Sequence, residues 1–351
     1  MARRGSGGWH CQLVPQPVGE QMALTPVRVA LDWTANTAHA ALLVAEGAGF
    51  NAARGLAVTF VEATDPEAPA TPLHGVVDGS VTIGVAPCDQ VFSEHHGEGR
   101  VECVAALIDS DISAICVPED SPIRRPRDLA GSRYGSCAYP LELACLSSMI
   151  EADGGSGSVV EVQPPERPET ETLLMHGDVD SVWMYRPWEV LRAKLAGVSL
   201  RQFRPAECGV PFGYMNTLVV RKTFVAEPAG RDLVQRLLAA AAEGAAWAQE
   251  DPARAGALLA SMAGTKGVGA DAGLTDAAFN TESIEALVEL QALAPAGERR
   301  WGEMDPERWD AFVAWAVAQP AGREMMNGGG GGEGAVSLMY TNDYARAGPN
   351  L

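Results

Sequence analysis

Residues 27–45 carry the sequence VRVALDWTANTAHAALLVA, in which the residue pattern changes twice. An alternating apolar run from Val27 to Leu31 predicts a short β-strand. A polar break from Asp32 to Asn36 follows, and from Thr37 to Ala45 apolar residues recur at helical spacing. This order of strand, polar loop and helix places the polar break at the carboxyl end of a strand, which is where open α/β sheets bind their ligands.

The polar break and the helix start supply four candidate ligand-binding residues. Trp33 offers a flat apolar face to a ring, and Asn36 offers both a hydrogen-bond donor and an acceptor. Asp32 and His39 flank them, and the helix start has free N–H groups for an anion or a carbonyl. A buried Trp beside an ordinary helix cap is the alternative interpretation.

Composition excludes several classes of partner. The chain of 351 residues allows one large domain or two of ordinary size. Its formal charge of −19 argues against a nucleic-acid or anionic-membrane partner. No run approaches the roughly 18–20 uninterrupted apolar residues that membrane insertion needs. The candidate residues after the first strand suggest a small-molecule partner, and the oligomeric state is left open.

The cysteines and the amino terminus give two further expectations. Seven scattered cysteines without a CxxC pair predict reduced thiols rather than a disulfide scaffold, and no zinc site. We also expect no other metal site and no cofactor. Residues 1–26 lack the apolar segment of a secretory signal, so we expect a disordered tail on a cytoplasmic protein, with organelle targeting as the alternative. Residues 328–334 are Gly-rich and predict a flexible loop.

Strand and helix patterns divide the chain into blocks. Strands and helices alternate from Val27 to Ile108, which favours a largely parallel sheet. A second series of strands and helices begins at Ser113 and can hold a core of its own. After a predicted strand at Tyr214–Arg221 the chain is mostly helical.

Six short motifs occur in an order that is informative as a set. The set resembles the SsuA-like and thiamine-pyrimidine-synthase-like family, and the resemblance runs from about Val27 to about Tyr344. The motifs are Leu31–His39, Gly55–Val58, Val77–Gly84, Asp128–Gly135, Cys208–Tyr214 and Tyr340–Tyr344.

The resemblance implies a type II periplasmic-binding-protein fold. In this α/β fold two lobes are joined by two crossover strands, and the ligand cleft lies between them. We expect residues 27–112 together with 214–351 to form lobe 1, and residues 113–213 to form lobe 2.

The resemblance also implies two kinds of function. One branch of the family binds sulfonates or pyrimidine precursors of thiamine for uptake. The other is a fungal synthase that makes the thiamine pyrimidine from pyridoxal phosphate and one of its own histidines, using iron.

This chain departs from the synthase at the decisive positions. It has Ala86 where the synthase has a Lys, Gln90 where it has the consumed His, and residues 209–213 where it has neighbouring cysteines. Ala86 cannot form an imine, Gln90 cannot donate imidazole atoms, and the thiolates that would hold iron are missing. The resemblance is therefore closer to the pyrimidine-binding branch, and we expect no catalytic residues.

Aromatic residues from both predicted lobes suggest how a flat ligand would be held. Trp33 and Trp183 stand at strand ends in opposite lobes, so they could sandwich a ring when the cleft closes. Such stacking adds roughly 0.5–1.5 kcal/mol beyond area burial. Tyr185 shares the neighbourhood of Trp183. Packing between the lobes without a ligand is the alternative interpretation.

Polar candidates come from three further places. Asp89 and Gln90 follow a strand and would accept from an exocyclic amine, although Asp89 is also a candidate helix cap. The turn Ser136–Tyr139 resembles the family's turn for an anion or polar group, and its N–H groups would take a phosphate or formyl oxygen. Glu142 follows in the first turn of a helix, where it would complement the macrodipole.

The second crossover supplies the last two candidates, Tyr214 and Asn216. Both are expected where the lobes meet, with Tyr214 as a lid or hinge contact.

Together these residues predict the binding of a small aromatic heterocycle, with a thiamine-related pyrimidine as the first choice, by closure of two lobes. One alternative is a hydroxymethylpyrimidine phosphate synthase of thiamine biosynthesis. The other is a binder of sulfonates or other small anions, for which helix N-termini would matter more than the two Trp residues.

Overall fold

The computed structural model describes residues 23–97, 99–163, 170–211, 213–270, 273–295, 297–328 and 339–347. Most of the predicted amino-terminal tail and all but residue 328 of the predicted Gly-rich loop lie outside these ranges. The described residues form two five-stranded sheets. The first contains β1 (Thr25–Ala30), β2 (Leu56–Val61), β3 (Ile83–Ala86), β4 (Val101–Ala106) and β10 (Thr217–Arg221), and the second contains β5 (Ser113–Pro118), β6 (Arg133–Gly135), β7 (Val160–Val162), β8 (Ser181–Tyr185) and β9 (Leu200–Phe203).

We use lobe 1 for the part built on the first sheet and lobe 2 for the part built on the second. The helices of lobe 1 are α1 (Ala40–Gly47), α2 (Phe50–Ala53), α3 (Pro72–Asp78), α4 (Cys88–Gly97), α8 (Lys222–Ala226), α9 (Pro228–Glu250), α10 (Pro252–Lys266), α11 (Ala277–Glu289), α12 (Pro306–Ala318), α13 (Pro320–Gly328) and α14 (Asp343–Ala347), and those of lobe 2 are α5 (Glu142–Ala152), α6 (Thr170–His176) and α7 (Leu191–Leu195). Across the ranges that are described, no helix is both long and apolar enough to cross a membrane.

Each sheet is mixed and contains one antiparallel strand. The strand orders are β2-β1-β3-β10-β4 and β7-β6-β8-β5-β9. In lobe 1, β10 runs against β3 and β4, and in lobe 2, β5 runs against β8 and β9. These are the two strands by which the chain enters a lobe from the other lobe. They run away from the junction, whereas the parallel strands end there.

The two connections between the lobes are hydrogen-bonded to each other. The first, residues 107–112, leads from β4 to β5, and the second, residues 204–216, leads from β9 to β10. The N–H groups of Leu107 and Ile108 both donate to the carbonyl oxygen of Asn216, at 2.9 and 3.4 Å. The hinge region is therefore a pair of segments that are bonded where they pass one another.

The lobes also touch at two places outside the hinge. Trp188, in a π-helical turn of lobe 2 (Arg186–Val190), is only 6% exposed and packs edge-on against Phe279 of α11, with ring centroids 4.8 Å apart. Elsewhere, the Trp315 Nε1–H of α12 donates to Ser148 Oγ of α5 at 3.1 Å. One apolar cluster accordingly continues from lobe 1 into lobe 2.

Helix α1 begins after the loop that follows β1, and it packs directly against α9. A Cβ built on Gly244 of α9 would stand 2.2 Å from the carbonyl oxygen of Ala41 and 2.9 Å from the backbone nitrogen of Ala45. The backbones of α1 and α9 can approach this closely because residue 244 is a glycine and has no side chain.

This close approach predicts opposite results for two helical glycines. Gly244→Ala should destabilise the protein by about 1–3 kcal/mol, because the added methyl pushes α1 away from α9. Gly264→Ala in α10 is the matched control. Nothing lies within 4 Å of its Cβ position, so the change should stabilise the helix by about 0.5–1 kcal/mol. Urea unfolding of both variants checks this, and equal effects would contradict the packing.

Candidate functional site

A cavity of about 350 Å³ lies between the lobes, where β1 and β2 end. Lobe 1 contributes most of its wall, and Tyr139, in the turn after β6, contributes from lobe 2. Asp32, Asp65, Thr71 and Gln90 are the other polar side chains of the wall. Among the described residues, no Lys or Arg lines the cavity. Three of the predicted site residues, Asp32, Gln90 and Tyr139, are thus brought together around one space.

The Asp32 carboxylate is held by one donor on each oxygen. Oδ1 is 2.8 Å from Nε2 of His39, and Oδ2 accepts from Nδ2 of Asn216 at 2.9 Å. His39 and Asn216 are each 1% exposed. The sequence separation of Asp32 and Asn216 is 184 residues, so the fold brings these predicted residues together across the sheet.

Local capping fixes which nitrogen of His39 carries the proton. The backbone N–H of Asn36 donates to His39 Nδ1 at 3.2 Å. Nδ1 is therefore an acceptor, and Nε2 donates to Asp32. The Asn36 side chain accepts from the Ala38 N–H at 2.9 Å and donates to the Thr34 carbonyl at 3.1 Å. Both of its polar atoms thus have partners within the capped turn.

Asp89 is fully buried at the start of α4 and has one free oxygen. Oδ1 accepts from the backbone N–H of Gln90 at 2.9 Å, and Oδ2 has no hydrogen-bond partner among the described residues. Burial raises the pKa of Asp89 to about 7. The charge of Glu142 in lobe 2 adds to the rise, whereas the backbone N–H groups of Leu141 and Gln90 oppose it.

Glu142 fills the predicted anion-binding turn with its own carboxylate. It is 2% exposed and accepts from the Tyr134 hydroxyl at 2.5 Å and from Ser136 Oγ at 3.0 Å. The backbone N–H groups of Cys137 and Tyr139 also donate to it, at 3.1 and 3.2 Å. Burial raises the pKa of Glu142 and these hydrogen bonds oppose the rise. The donors expected for a phosphate or formyl oxygen are therefore already engaged.

The same turn contains a left-handed residue. Ala138 has φ of +60°, a conformation that costs a side-chain-bearing residue about 1 kcal/mol or more. Its N–H donates to Ser136 Oγ at 3.0 Å. The hydrogen bonds to Ser136 and Glu142 hold this turn in place beside the cavity.

The predicted aromatic residues lie in different surroundings. Trp33 and Trp183 are half-buried and are not among the residues that line the cavity, so the predicted sandwich stays a prediction. Burial raises the pKa of Tyr185, and the charges of Tyr139 and Asp32 add to the rise, although Tyr185 is not among the residues that line the cavity. Tyr214 is 1% exposed, and its hydroxyl accepts from the Asp305 N–H at 2.7 Å inside lobe 1.

Two acidic residues near the site were not predicted. Glu62, directly after β2, accepts from the backbone N–H groups of Ala35 and Gly269, each at 2.8 Å, and so fixes the loop after β1. Asp65 lines the cavity and accepts from the Glu62 N–H at 2.8 Å. Glu62 had a signal in the sequence, an acidic residue directly after a predicted strand as at Asp32, whereas Asp65 lies further along the loop and had none.

Comparisons with known proteins identify a family and a similar protein. The family described as "NMT1/THI5 like" matches residues 36–255. The chain is similar to the formylaminopyrimidine-binding protein of Halalkalibacterium halodurans, with 26% identity over 306 residues that cover 84% of this chain and 86% of that protein.

Two solved structures share the architecture. A protein from Bordetella bronchiseptica RB50 matches with a TM-score of 0.66 at 18% identity, covering 92% of this chain and 96% of the other. The alkanesulfonate-binding protein SsuA from Xanthomonas axonopodis pv. citri, bound to MOPS, matches with a TM-score of 0.61 at 17% identity, covering 86% and 94%. The predicted type II periplasmic-binding-protein fold is confirmed.

The buried Asp89 predicts a pH-dependent stability. An unfolded Asp has a pKa near 3.9, so between about pH 4 and pH 7 the unfolded chain loses a proton that the folded protein keeps. Stability should therefore fall as pH rises through this window, by about 4 kcal/mol at most. Asp89→Asn removes this dependence on the protonation of Asp89. The free energy of unfolding of the variant, relative to that of the wild type, should therefore be greater at pH 8 than at pH 4.5.

Urea unfolding at the two pH values measures this difference. Asp120→Asn, at an exposed position in lobe 2, is the control and should behave like the wild type at both. A difference between Asp89→Asn and the wild type that does not change with pH would contradict the prediction.

Proposed function

The chain belongs to the NMT1/THI5-like family, and from that membership we propose that it binds a small aromatic heterocycle that carries an amino group. A thiamine-related pyrimidine is the first choice, because the similar protein of Halalkalibacterium halodurans is a formylaminopyrimidine-binding protein. The cavity of about 350 Å³ is at the small end of the range for ligand pockets, roughly 300–1,000 Å³.

The observation that carries this proposal is the charge of the cavity wall. Asp32 and Asp65 contribute carboxylates, and the described wall contains no basic side chain. A carboxylate has about four lone-pair positions, and the two donors on Asp32 leave room for a third. An exocyclic amine supplies N–H donors to such a group, whereas an anionic ligand would be repelled.

The turn after β6 supports an amine over a sulfonate. A sulfonate needs convergent N–H or cationic donors. The N–H groups of Cys137 and Tyr139 already donate to Glu142. A sulfonate would have to displace this buried carboxylate, so a donor-bearing ligand is the better match.

Hinge closure follows from where the wall residues come from. Asp32 and Gln90 belong to lobe 1 and Tyr139 to lobe 2, so a ligand touches both lobes when they are together. Such a ligand stabilises the closed arrangement by its extra contacts. Trp33 and Trp183 are proposed to approach the ring from opposite lobes in the bound state.

Binding is proposed rather than synthesis because of two side chains. Ala86 is a buried methyl group in β3, and Gln90 presents an amide to the cavity. Neither can form an imine or give up imidazole atoms. Incubation with iron and pyridoxal phosphate should yield no pyrimidine product and no mass loss from the chain. A single-turnover product would favour the synthase instead.

Titration with 4-amino-5-hydroxymethyl-2-methylpyrimidine tests the proposal. Tryptophan emission should be quenched and the melting temperature should rise with ligand concentration. Trp33→Ala should abolish the quenching, and Asp32→Asn should weaken binding by about tenfold or more, because a hydrogen bond to a charged group contributes about 1.5–3 kcal/mol.

Asp232→Asn, on the surface of α9, is the matched control and should bind like the wild type. No change in emission or melting temperature across a panel of aminopyrimidines would contradict the proposal. Tighter binding of methanesulfonate than of the aminopyrimidines would also contradict it.

The role of Glu142 in excluding anions gives a separate prediction. Sulfate or methanesulfonate at millimolar concentration should not stabilise the wild type beyond its general salt effect. Glu142→Ala should lose stability, because the donors around it are left unsatisfied, and sulfate should restore part of this loss by taking the same N–H groups.

Thermal melts with and without sulfate make the measurement. Glu151→Ala, at an exposed position of the same helix, should show no specific response. Equal responses to sulfate in all three proteins would show that Glu142 does not occupy an anion site.

A further inference from the structure

Asn216 joins the cavity wall to the hinge. Its side chain donates from Nδ2 to Asp32 Oδ2 at 2.9 Å, and its carbonyl oxygen accepts from the N–H groups of Leu107 and Ile108. The first contact reaches a residue that lines the cavity, and the second joins the two interlobe connections to each other. Asn216 therefore takes part in the hydrogen bonding of the cavity wall and in that of the hinge.

We propose that Asn216 is a positioning residue that orients the Asp32 carboxylate toward an N–H donor of the ligand and transmits that contact to the hinge. The ligand class rests on the proposed function, whereas the link between Asp32 and the hinge is a property of the protein without ligand. A ligand that binds Asp32 stabilises the arrangement in which Asp32 and Asn216 are paired, and with it the contact between the two connecting segments.

The orientation of the Asn216 amide follows from its partner. A carboxylate only accepts, so Nδ2 must face Asp32. The other amide atom, Oδ1, is buried and has no hydrogen-bond partner among the described residues. A buried acceptor without a partner is unfavourable, so the hydrogen bond from Nδ2 to Asp32 is the contact that holds this amide in its orientation.

Hydrogen exchange at the Leu107 and Ile108 amides measures the link without any ligand. Asn216→Asp places a second carboxylate against Asp32, and exchange at these two amides should rise about tenfold or more. The double variant Asp32→Asn/Asn216→Asp reverses donor and acceptor, because the new amide at position 32 can still accept from His39 and donate to position 216. Its exchange should return to within about twofold of the wild type.

Two further variants keep the test interpretable. Asp232→Asn, a change of the same kind on the surface, should leave exchange at Leu107 and Ile108 unchanged. Asn216→Ser, which cannot reach Asp32, should raise exchange as Asn216→Asp does, and it replaces that variant if repulsion prevents folding. Unchanged exchange in the single variants, or no rescue in the double variant, would overturn the inference.

The second arm adds 4-amino-5-hydroxymethyl-2-methylpyrimidine as the probe. In the wild type it should slow exchange at Leu107 and Ile108, and in the double variant the affinity should stay at least tenfold weaker even though the hinge is restored. If the wild type does not bind the probe, the proposed pyrimidine function fails while the ligand-free arm still decides the link. If the wild type binds but the single variants exchange normally, the link fails and the proposed function stands.

Discussion

The structure around the cavity depends on a carboxylate that is held by two neutral donors. Asp32 receives hydrogen bonds from His39 and Asn216, and because His39 Nδ1 accepts from the Asn36 N–H, the imidazole donates to Asp32 from Nε2. An Arg in either place would have neutralised the charge of Asp32. Neutral donors orient the carboxylate and leave its charge to act on whatever enters the cavity. The same hydrogen bonds connect a helix cap, the cavity wall and the hinge into one network.

The topology explains why this network lies where the lobes meet. Parallel strands of both sheets end at the junction, and each lobe receives one strand that enters there and runs the other way. The loops after β1, β2 and β6 therefore converge, and with them Asp32, Glu62 and Tyr139. The entering strand β10 begins directly after Asn216, so the residue that touches Asp32 is also the residue at which the chain crosses between lobes.

Local sequence patterns predicted strand β1, but they did not predict strand β9 or the role of Glu62. The strand predicted at Val27–Leu31 is β1, displaced by one to two residues. Strand β9 was not predicted, because its sequence LRQF is short and mixed and lies at a sheet edge, where neither face gives an alternating pattern. Glu62 was missed for a different reason, since one of its partners, Gly269, is 207 residues away.

The turn after β6 shows the limit of reasoning from residue types. Ser136, Tyr139 and Glu142 were each predicted at the site, but the sequence did not reveal that the third would engage the donors of the other two. Once Glu142 occupies the turn, the N–H groups near the cavity are satisfied internally, while Asp32 and Asp65 remain in the wall. The fixed groups of the cleft are then mainly acceptors, and complementarity requires the ligand to bring the donors.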